Sequence, residues 1–414
     1  MDPSLASLLP LLRPELSELS SYVPHDPPGI EVKLDANEAP SCSAEVRETV
    51  ARAVAGVALE RYPDPRALRL KDAIAKRTGA APSDLLIGSG SDEIIALVTN
   101  ALAHPRRRNT QSIVLTPTPT FVMYKITARG HGSKPVEVPL DTDWDLDVPM
   151  MRRALQIMEP TVIYVASPNN PTGNVMARDR LEKVIELSTS VGGLAQLAAG
   201  GQGPAGGSGQ GRAGGPDVST MVSAKPKDDP GLPKEAAFFV LDEAYVDYAG
   251  ENASQRDLRA RHPHMGVMRT ISKVGLAALR VGWLEADPAL VNEIDKTRQP
   301  FNVSATSQAA AAAVLEDAWG AVQTEVARVV AARERLAKAI GAIDGFAVTP
   351  SGANFLWVKT PGSAADVHAH LVNEKILVRS FHTSGGRLAT QLRITVGTDA
   401  QNDRLVTALG KAPR

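Results

Sequence analysis

The chain reads as an α/β protein, a large domain with a mostly parallel sheet flanked by helices, joined to a smaller α+β domain. Three observations predict this. From Glu45 into the 180s, apolar runs alternate with helical patterns: Leu85-Leu86-Ile87, Glu93 to Ala103, Ile113-Val114-Leu115 and Val162-Ile163-Tyr164-Val165. Such alternation builds parallel strands joined by helices. The alternation resumes with Phe238-Phe239-Val240-Leu241, apolar at every position as a strand buried on both faces requires, and with Val267 to Ile271. After Arg298-Gln299-Pro300 the pattern changes. Helical stretches at Ser307 to Val314 and Ala321 to Ile340 precede strands at Phe355 to Val358, Ile376-Leu377-Val378 and Leu392 to Val396.

A length of 414 residues with 43% hydrophobic content is ample for a large core and a smaller one. The expected division is an N-terminal arm with part of the small domain over 1–44, a large domain over 45–300, and a small C-terminal domain over 301–414. Between Gly192 and Pro233 the composition turns glycine-rich, as in Gly200-Gly201-Gln202-Gly203-Pro204. Few residues there can bury apolar surface, so 192–233 is expected to be a disordered insertion that activity does not need.

Forty-five basic against 46 acidic side chains give a net charge of −1. No overall field draws the chain to nucleic acid or to an anionic membrane. Cys42 is the sole cysteine, which excludes an intrachain disulfide and a cysteine metal cluster and suits a reducing compartment. No metal is expected. The apolar Leu5 to Leu12 stretch is short, follows acidic Asp2 and is broken up by Pro10 and Pro14, unlike a signal peptide. No run reaches the roughly 18 to 20 apolar residues of a membrane span. A soluble, cytoplasmic protein is expected.

The special residues fall at strand ends, where open parallel sheets bind ligands. Lys273 follows the run Val267 to Ile271, with Ser272 before it and Arg280 seven positions on. Asp242 ends the run Phe238 to Leu241, and a carboxylate at the buried end of a strand needs a cationic partner. The segment Gly88-Ser89-Gly90-Ser91-Asp92-Glu93 stands between a strand and a helix. Its glycines let backbone N–H groups approach an anion at a helix start; the plain alternative is a tight turn with a helix cap. Taken together, a lysine to hold an aldehyde, an aspartate for a pyridine nitrogen and an arginine for a phosphate are what a pyridoxal phosphate enzyme needs. Arg393 lies in Leu392-Arg393-Ile394-Thr395-Val396, where alternation sets it on the face opposite Leu392, Ile394 and Val396. There it can fork onto a carboxylate or phosphate, as can Arg379, or simply face solvent.

These segments resemble the fold-type I aminotransferases over nearly the whole chain apart from the glycine-rich insertion. Within them the chain is most similar to the histidinol-phosphate aminotransferases. The likeness rests on Leu34-Asp35-Ala36-Asn37-Glu38, Arg61-Tyr62-Pro63, Gly88 to Ile95, Pro119 to Tyr124, Asn169 to Gly173, Asp242 to Tyr245, Ser272 to Arg280 and Leu392 to Thr398. It implies pyridoxal 5'-phosphate carried on Lys273, with Asp242 on the pyridinium nitrogen, Asn170 and Tyr245 on the ring hydroxyl, and Phe121 stacked on the ring. It implies phosphate held by Ser91, Asp92, Glu93, Ser272 and Arg280, and by Tyr62 from the second subunit of a homodimer. Arg393 and Arg379 would bind the substrate's anionic group, with Tyr22 and Asn354 lining the pocket. The implied reaction converts L-histidinol phosphate and 2-oxoglutarate to imidazole acetol phosphate and L-glutamate, a step of histidine biosynthesis. Threonine-phosphate decarboxylation, transamination of aromatic amino acids and a non-catalytic ligand sensor are the competing expectations. Three departures from the family pattern stand out: the lysine-to-arginine spacing is seven where many members have eight, Glu38-Ala39-Pro40 replaces Glu-Asn-Pro, and the insertion from Gly192 to Pro233 is unusual but falls between core elements.

Overall fold

The computed structural model describes residues 8–19, 27–106, 110–191 and 236–414. Tyr22 and the 192–233 insertion lie outside the described residues. The strands are β1 (Val32–Leu34), β2 (Leu85–Gly88), β3 (Ile113–Thr118), β4 (Lys134–Pro139), β5 (Val162–Ala166), β6 (Phe238–Asp242), β7 (Met265–Thr270), β8 (Gly282–Glu285), β9 (Ala347–Thr349), β10 (Phe355–Lys359), β11 (Ile376–Ser380) and β12 (Gln391–Thr395). The helices are α1 (Ala44–Ala55), α2 (Leu68–Thr78), α3 (Gly90–Ala101), α4 (Met123–Gly130), α5 (Val148–Met158), α6 (Arg178–Leu187), α7 (Pro288–Asp295), α8 (Ala305–Ala313), α9 (Trp319–Gly341), α10 (Ala364–Asn373) and α11 (Asp399–Leu409).

Seven strands form the large sheet in the order β2-β8-β7-β6-β5-β3-β4. Only β8 runs against its neighbours, being antiparallel to both β2 and β7. The other strands therefore end at one edge, which gathers the segments after β2, β3, β5, β6 and β7 there. Alternation along β6 shows why its first four residues are all apolar. Phe239 and Leu241 join one core with residues of α5 and α6, while Phe238 and Val240 join another with residues of α3, α4 and α7.

The second sheet has the order β1-β11-β12-β10-β9. Its first strand comes from the N-terminal part of the chain and pairs parallel to β11. Leu356, Val358, Leu392 and Ile394 bury one face against residues of α9, α10 and α11. The face opposite carries Arg393 and Arg379, paired directly across β12 and β11. Val396, expected beside Leu392 and Ile394, is buried in a different core with Ile87 and Trp283.

The two helical stretches read after Pro300 are one continuous feature, α8 and α9 joined by a π-helical turn at Val314–Ala318. Val322 and Val329 of α9 pack into the core at the large sheet. Leu336 and Ile340, further along the same helix, pack into the core of the small one. A single rigid element thus anchors both sheets.

At the site edge β8 approaches the start of α3 with no room for a side chain. A Cβ at Gly282 would stand 2.6 Å from Ser91 N and 2.7 Å from Gly90 C. Both are backbone atoms, so the helix start itself has to yield. Gly282→Ala is expected to destabilise the protein by about 1–3 kcal/mol through overpacking and to lower its thermal midpoint, measurable by calorimetry. An unchanged midpoint would mean that the α3 start moves freely.

Candidate active site

Asp242 ends β6 and is 5% exposed. Its Oδ2 accepts a hydrogen bond of 2.6 Å from the Tyr124 hydroxyl, and its Oδ1 accepts one of 2.9 Å from Ala244 N. Burial pushes its carboxyl up to about 6, against the opposing pull of these two donors and of the Lys273 charge. Tyr124 is fully buried on α4, stacked on Tyr164 at 4.9 Å between ring centroids. Its own ionisation is pushed well up by burial and by the Asp242 charge. Both hydrogen-bond donors to Asp242 are neutral, so neither offsets the charge of its buried carboxylate.

Lys273 lies in the 3-10 turn Ser272–Val274 just past β7. Its carbonyl accepts a 2.6 Å bond from the Tyr248 hydroxyl, and its Nζ lies 5.6 Å from the centre of the Tyr245 ring. The Tyr245 hydroxyl accepts from Asn37 Nδ2 at 2.9 Å. Ser272 is buried, and its Oγ accepts from Thr270 Oγ1 at 2.9 Å. Phe121, half-buried after β3, meets Tyr124 edge-on at 5.6 Å.

The start of α3 brings together a left-handed glycine, backbone N–H groups and Arg280. Gly90 has φ +80, and a Cβ there would stand 2.5 Å from Arg280 Nη2. The guanidinium thus occupies the space that any larger residue would fill. Arg280, itself at φ 51, also pairs with Asp92 at 3.1 Å. Despite the shortened lysine-to-arginine spacing, it reaches the helix start. The Glu93 carboxylate turns back to accept from Ser89 N at 2.5 Å and Asn302 Nδ2 at 2.7 Å. Its side chain is therefore engaged in closing the helix end, as is that of Asp92 with Arg280. What this turn offers an anion is the backbone N–H groups and Arg280.

Arg393 reaches across to the large sheet, donating to Asn170 Oδ1 at 2.6 Å and to Asp35 O. Asn170 is buried, at the turn after β5. Asn354 is fully buried and donates to Asn37 O at 3.0 Å. Arg379 is exposed. Tyr62 stands apart from these groups, 82% exposed and stacked on Phe301 at 4.8 Å. Among the described residues, no cluster of three or more His, Cys, Asp or Glu is arranged to hold a metal.

Sequence reasoning missed Asn37, Tyr124 and Tyr248 as parts of the site. A signal existed for Tyr124, three residues after Phe121 and so on the same side of a helical turn. Asn37 lies in one of the segments that carry the resemblance, though its partners are on other segments, and for Tyr248 there was no signal.

The residues fit pyridoxal phosphate. A buried carboxylate lacks a hydrogen-bonded cation, an amine stands over a tyrosine ring, and an arginine lies over a glycine at a helix start. In the cofactor-free protein, the folded state holds the Asp242 proton more tightly than the unfolded chain does. That group's stabilising contribution is full below its ordinary value of 3.8 and is lost as pH rises through about 6. Asp242→Asn is accordingly expected to gain about 3 kcal/mol on the parent between pH 4 and pH 8, read from unfolding in urea at both values. A difference independent of pH would overturn this account of the carboxyl.

Residues 30–195 and 232–409 match the family model for aminotransferase class I and II. The chain is 34% identical over 403 residues to histidinol-phosphate aminotransferase 2 of Nitrosococcus oceani, covering 96% of each. In fold it is similar to the histidinol-phosphate aminotransferase of Sinorhizobium meliloti, solved in complex with pyridoxal-5'-phosphate. That likeness has a TM-score of 0.75 at 23% identity over 97% of this chain and 96% of the other. It is also similar to the L-threonine-O-3-phosphate decarboxylase of Porphyromonas gingivalis, with a TM-score of 0.67 at 18% identity over 92% and 98%. At these identities the structural likenesses speak to the fold alone. The match to the family model spans both sheets and every strand end described above, and the chain belongs to the class I and II aminotransferases.

Proposed function

We propose that the protein transfers the amino group of L-histidinol phosphate to 2-oxoglutarate, yielding imidazole acetol phosphate and L-glutamate in histidine biosynthesis. The observation that carries the substrate choice is the 34% identity to a histidinol-phosphate aminotransferase along almost the full length of both chains. The geometry is compatible with it. Pyridoxal 5'-phosphate, bound at this site, would supply an electron sink for the α-carbon of the amino donor.

The chain's own residues do the rest. Asp242, as a buried carboxylate, keeps a proton on the ring nitrogen, because the pyridinium charge offsets the cost of burying its own. Asn170 and Tyr245 take the ring hydroxyl, and Phe121 takes the ring face. Arg280, Ser272 and the N–H groups of Ser91, Asp92 and Glu93 hold the phosphate. Lys273, the catalytic residue, carries the cofactor and, once displaced by the donor, moves the proton at the α-carbon. Arg393, with Arg379 beside it on the same face of the small sheet, binds the donor's phosphate and then a carboxylate of the acceptor. A planar guanidinium accepts either in a forked pair. Asn354 lines the pocket, and the resemblance assigns the same part to Tyr22.

The same reading makes the protein a homodimer. Tyr62 and Phe301 stack as an exposed apolar pair, and Leu59, three residues before Tyr62, is 80% exposed, a surface suited to burial against a second copy. Tyr62 would then serve the partner's phosphate site. The proposed divisions are the arm and first small-domain strand within 1–44, the large domain over 45–300 and the small domain over 301–414. No helix among the described residues is long and apolar enough to cross a membrane. With one unpaired thiol, Cys42, a cytoplasmic location is proposed.

Adding L-histidinol phosphate without a keto acid to the cofactor-loaded protein tests the reaction. The absorbance band of the bound aldehyde is expected to give way to that of the amine form, and 2-oxoglutarate is expected to restore it. If threonine phosphate instead releases carbon dioxide, or phenylalanine converts the band faster, the substrate assignment falls. Tyr62→Phe is expected to weaken cofactor binding about tenfold, the loss of one hydrogen bond to a charged group. Unchanged affinity in a fluorescence titration would remove Tyr62 from the phosphate site.

A further inference from the structure

Lys273 is held at both ends by a chain of contacts that closes on itself, and the buried arginine on which both arms meet has no part in the chemistry above. Arg333 sits on α9 and is 7% exposed. Its Nη1 donates to Tyr248 O at 2.9 Å and to Ala353 O at 3.0 Å, while Nε and Nη2 go to Glu334 at 2.9 and 2.8 Å. The Tyr248 hydroxyl holds the Lys273 carbonyl at 2.6 Å. From Ala353 the path continues through its neighbour Asn354 to Asn37 O at 3.0 Å, and from Asn37 Nδ2 to the Tyr245 hydroxyl at 2.9 Å. The Tyr245 ring in turn lies 5.6 Å from the Lys273 amine.

One nitrogen atom therefore fixes the distance between two segments. One carries Tyr245 and Tyr248 after β6; the other leads into β10 of the small sheet. Burying a guanidinium carries a heavy desolvation penalty, and an apolar residue would fill the same gap on α9 without it. An apolar residue cannot draw two buried carbonyls from separate segments to a single point. Elsewhere along α9, the residues turned inward are apolar, such as Val329, Ala332 and Leu336.

We propose that Arg333 is a positioning residue for the Lys273 amine. It locks the backbone carbonyl of Lys273, through Tyr248, and the tyrosine beneath its amine, through Ala353, Asn354 and Asn37, into one fixed relation. This rests on the aminotransferase reading, in which Lys273 moves the α-proton. Proton transfer depends steeply on where the amine stands, so a loosened clamp slows that step in particular.

The test compares Arg333→Met, Arg333→Lys and Tyr248→Phe in the cofactor-loaded protein. Because both carbonyl bonds come from Nη1, a lysine ammonium can replace them, whereas methionine only fills the volume. With a donor deuterated at its α-carbon, Arg333→Met is expected to slow the first half-reaction about tenfold to a hundredfold. The isotope effect should rise above the parent's and cofactor affinity should stay close to it. Arg333→Lys should recover most of the rate, and Tyr248→Phe, which cuts the circuit at its other arm, should raise the isotope effect in the same way. A rate loss that only follows the folded fraction, with the parent's isotope effect, would overturn the proposal, as would a lysine variant no better than methionine. A parent protein that transfers no amino group from any donor would bring down the aminotransferase reading itself, and this proposal with it.

Discussion

The structure turns on two adjacent carboxylates at the end of one buried strand. Asp242 and Glu243 are both almost fully buried, and strand alternation sends them to opposite sides. Glu243 is neutralised within the chain: Arg269 pairs with it at 2.5 Å, and Ser254 and Gln255 N donate to it. Asp242 receives its hydrogen bonds from a phenol and a backbone amide. A fold that could satisfy one carboxylate so completely has left its neighbour with neutral donors, and that difference sets the position of everything nearby. Tyr124, Lys273 and Asp92 all lie where they influence this one charge.

Much of this was legible in the sequence, for a definite reason. β5 and β6 are buried on both faces, so their residues are apolar until the last of β6, Asp242, where the run and the strand end together. Asp242 stands out because it closes such a run, and Lys273 because it follows a strand-like segment. Strands of mixed character were not legible. β4 is Lys-Pro-Val-Glu-Val-Pro and β8 is Gly-Trp-Leu-Glu, and neither differs from a loop by composition. The π-helical turn at Val314–Ala318 hid the continuity of α8 and α9, since its extra residue shifts the apolar stripe.

The site itself was legible as a set of strand ends but not as a set of partners. Arg393 could be placed on a face, yet nothing in its own segment says that Asn170, far back in the chain, accepts from it. The same holds for the hydroxyl of Tyr248 on Lys273 and for the amide of Asn37 on Tyr245. Such contacts follow from how one sheet is set against the other. That arrangement is fixed by β1 joining the second sheet from the opposite end of the chain, by α9 running through both cores, and by Gly352 N donating to Gly173 O at 2.7 Å.

The space over Gly90 bears on how such a chain can change over time. The guanidinium of Arg280 fills the volume where a β-carbon would stand, and Gly282, two residues further on, lies against the same backbone. A side chain at position 90 has to displace the arginine and also take up a left-handed backbone, so two separate constraints hold the glycine. Gly282 is held by the backbone of Gly90 and Ser91, which ties positions 90, 280 and 282 to one another through the start of α3. Across descendants of this sequence, their joint retention should outlast that of the far larger apolar residues around them.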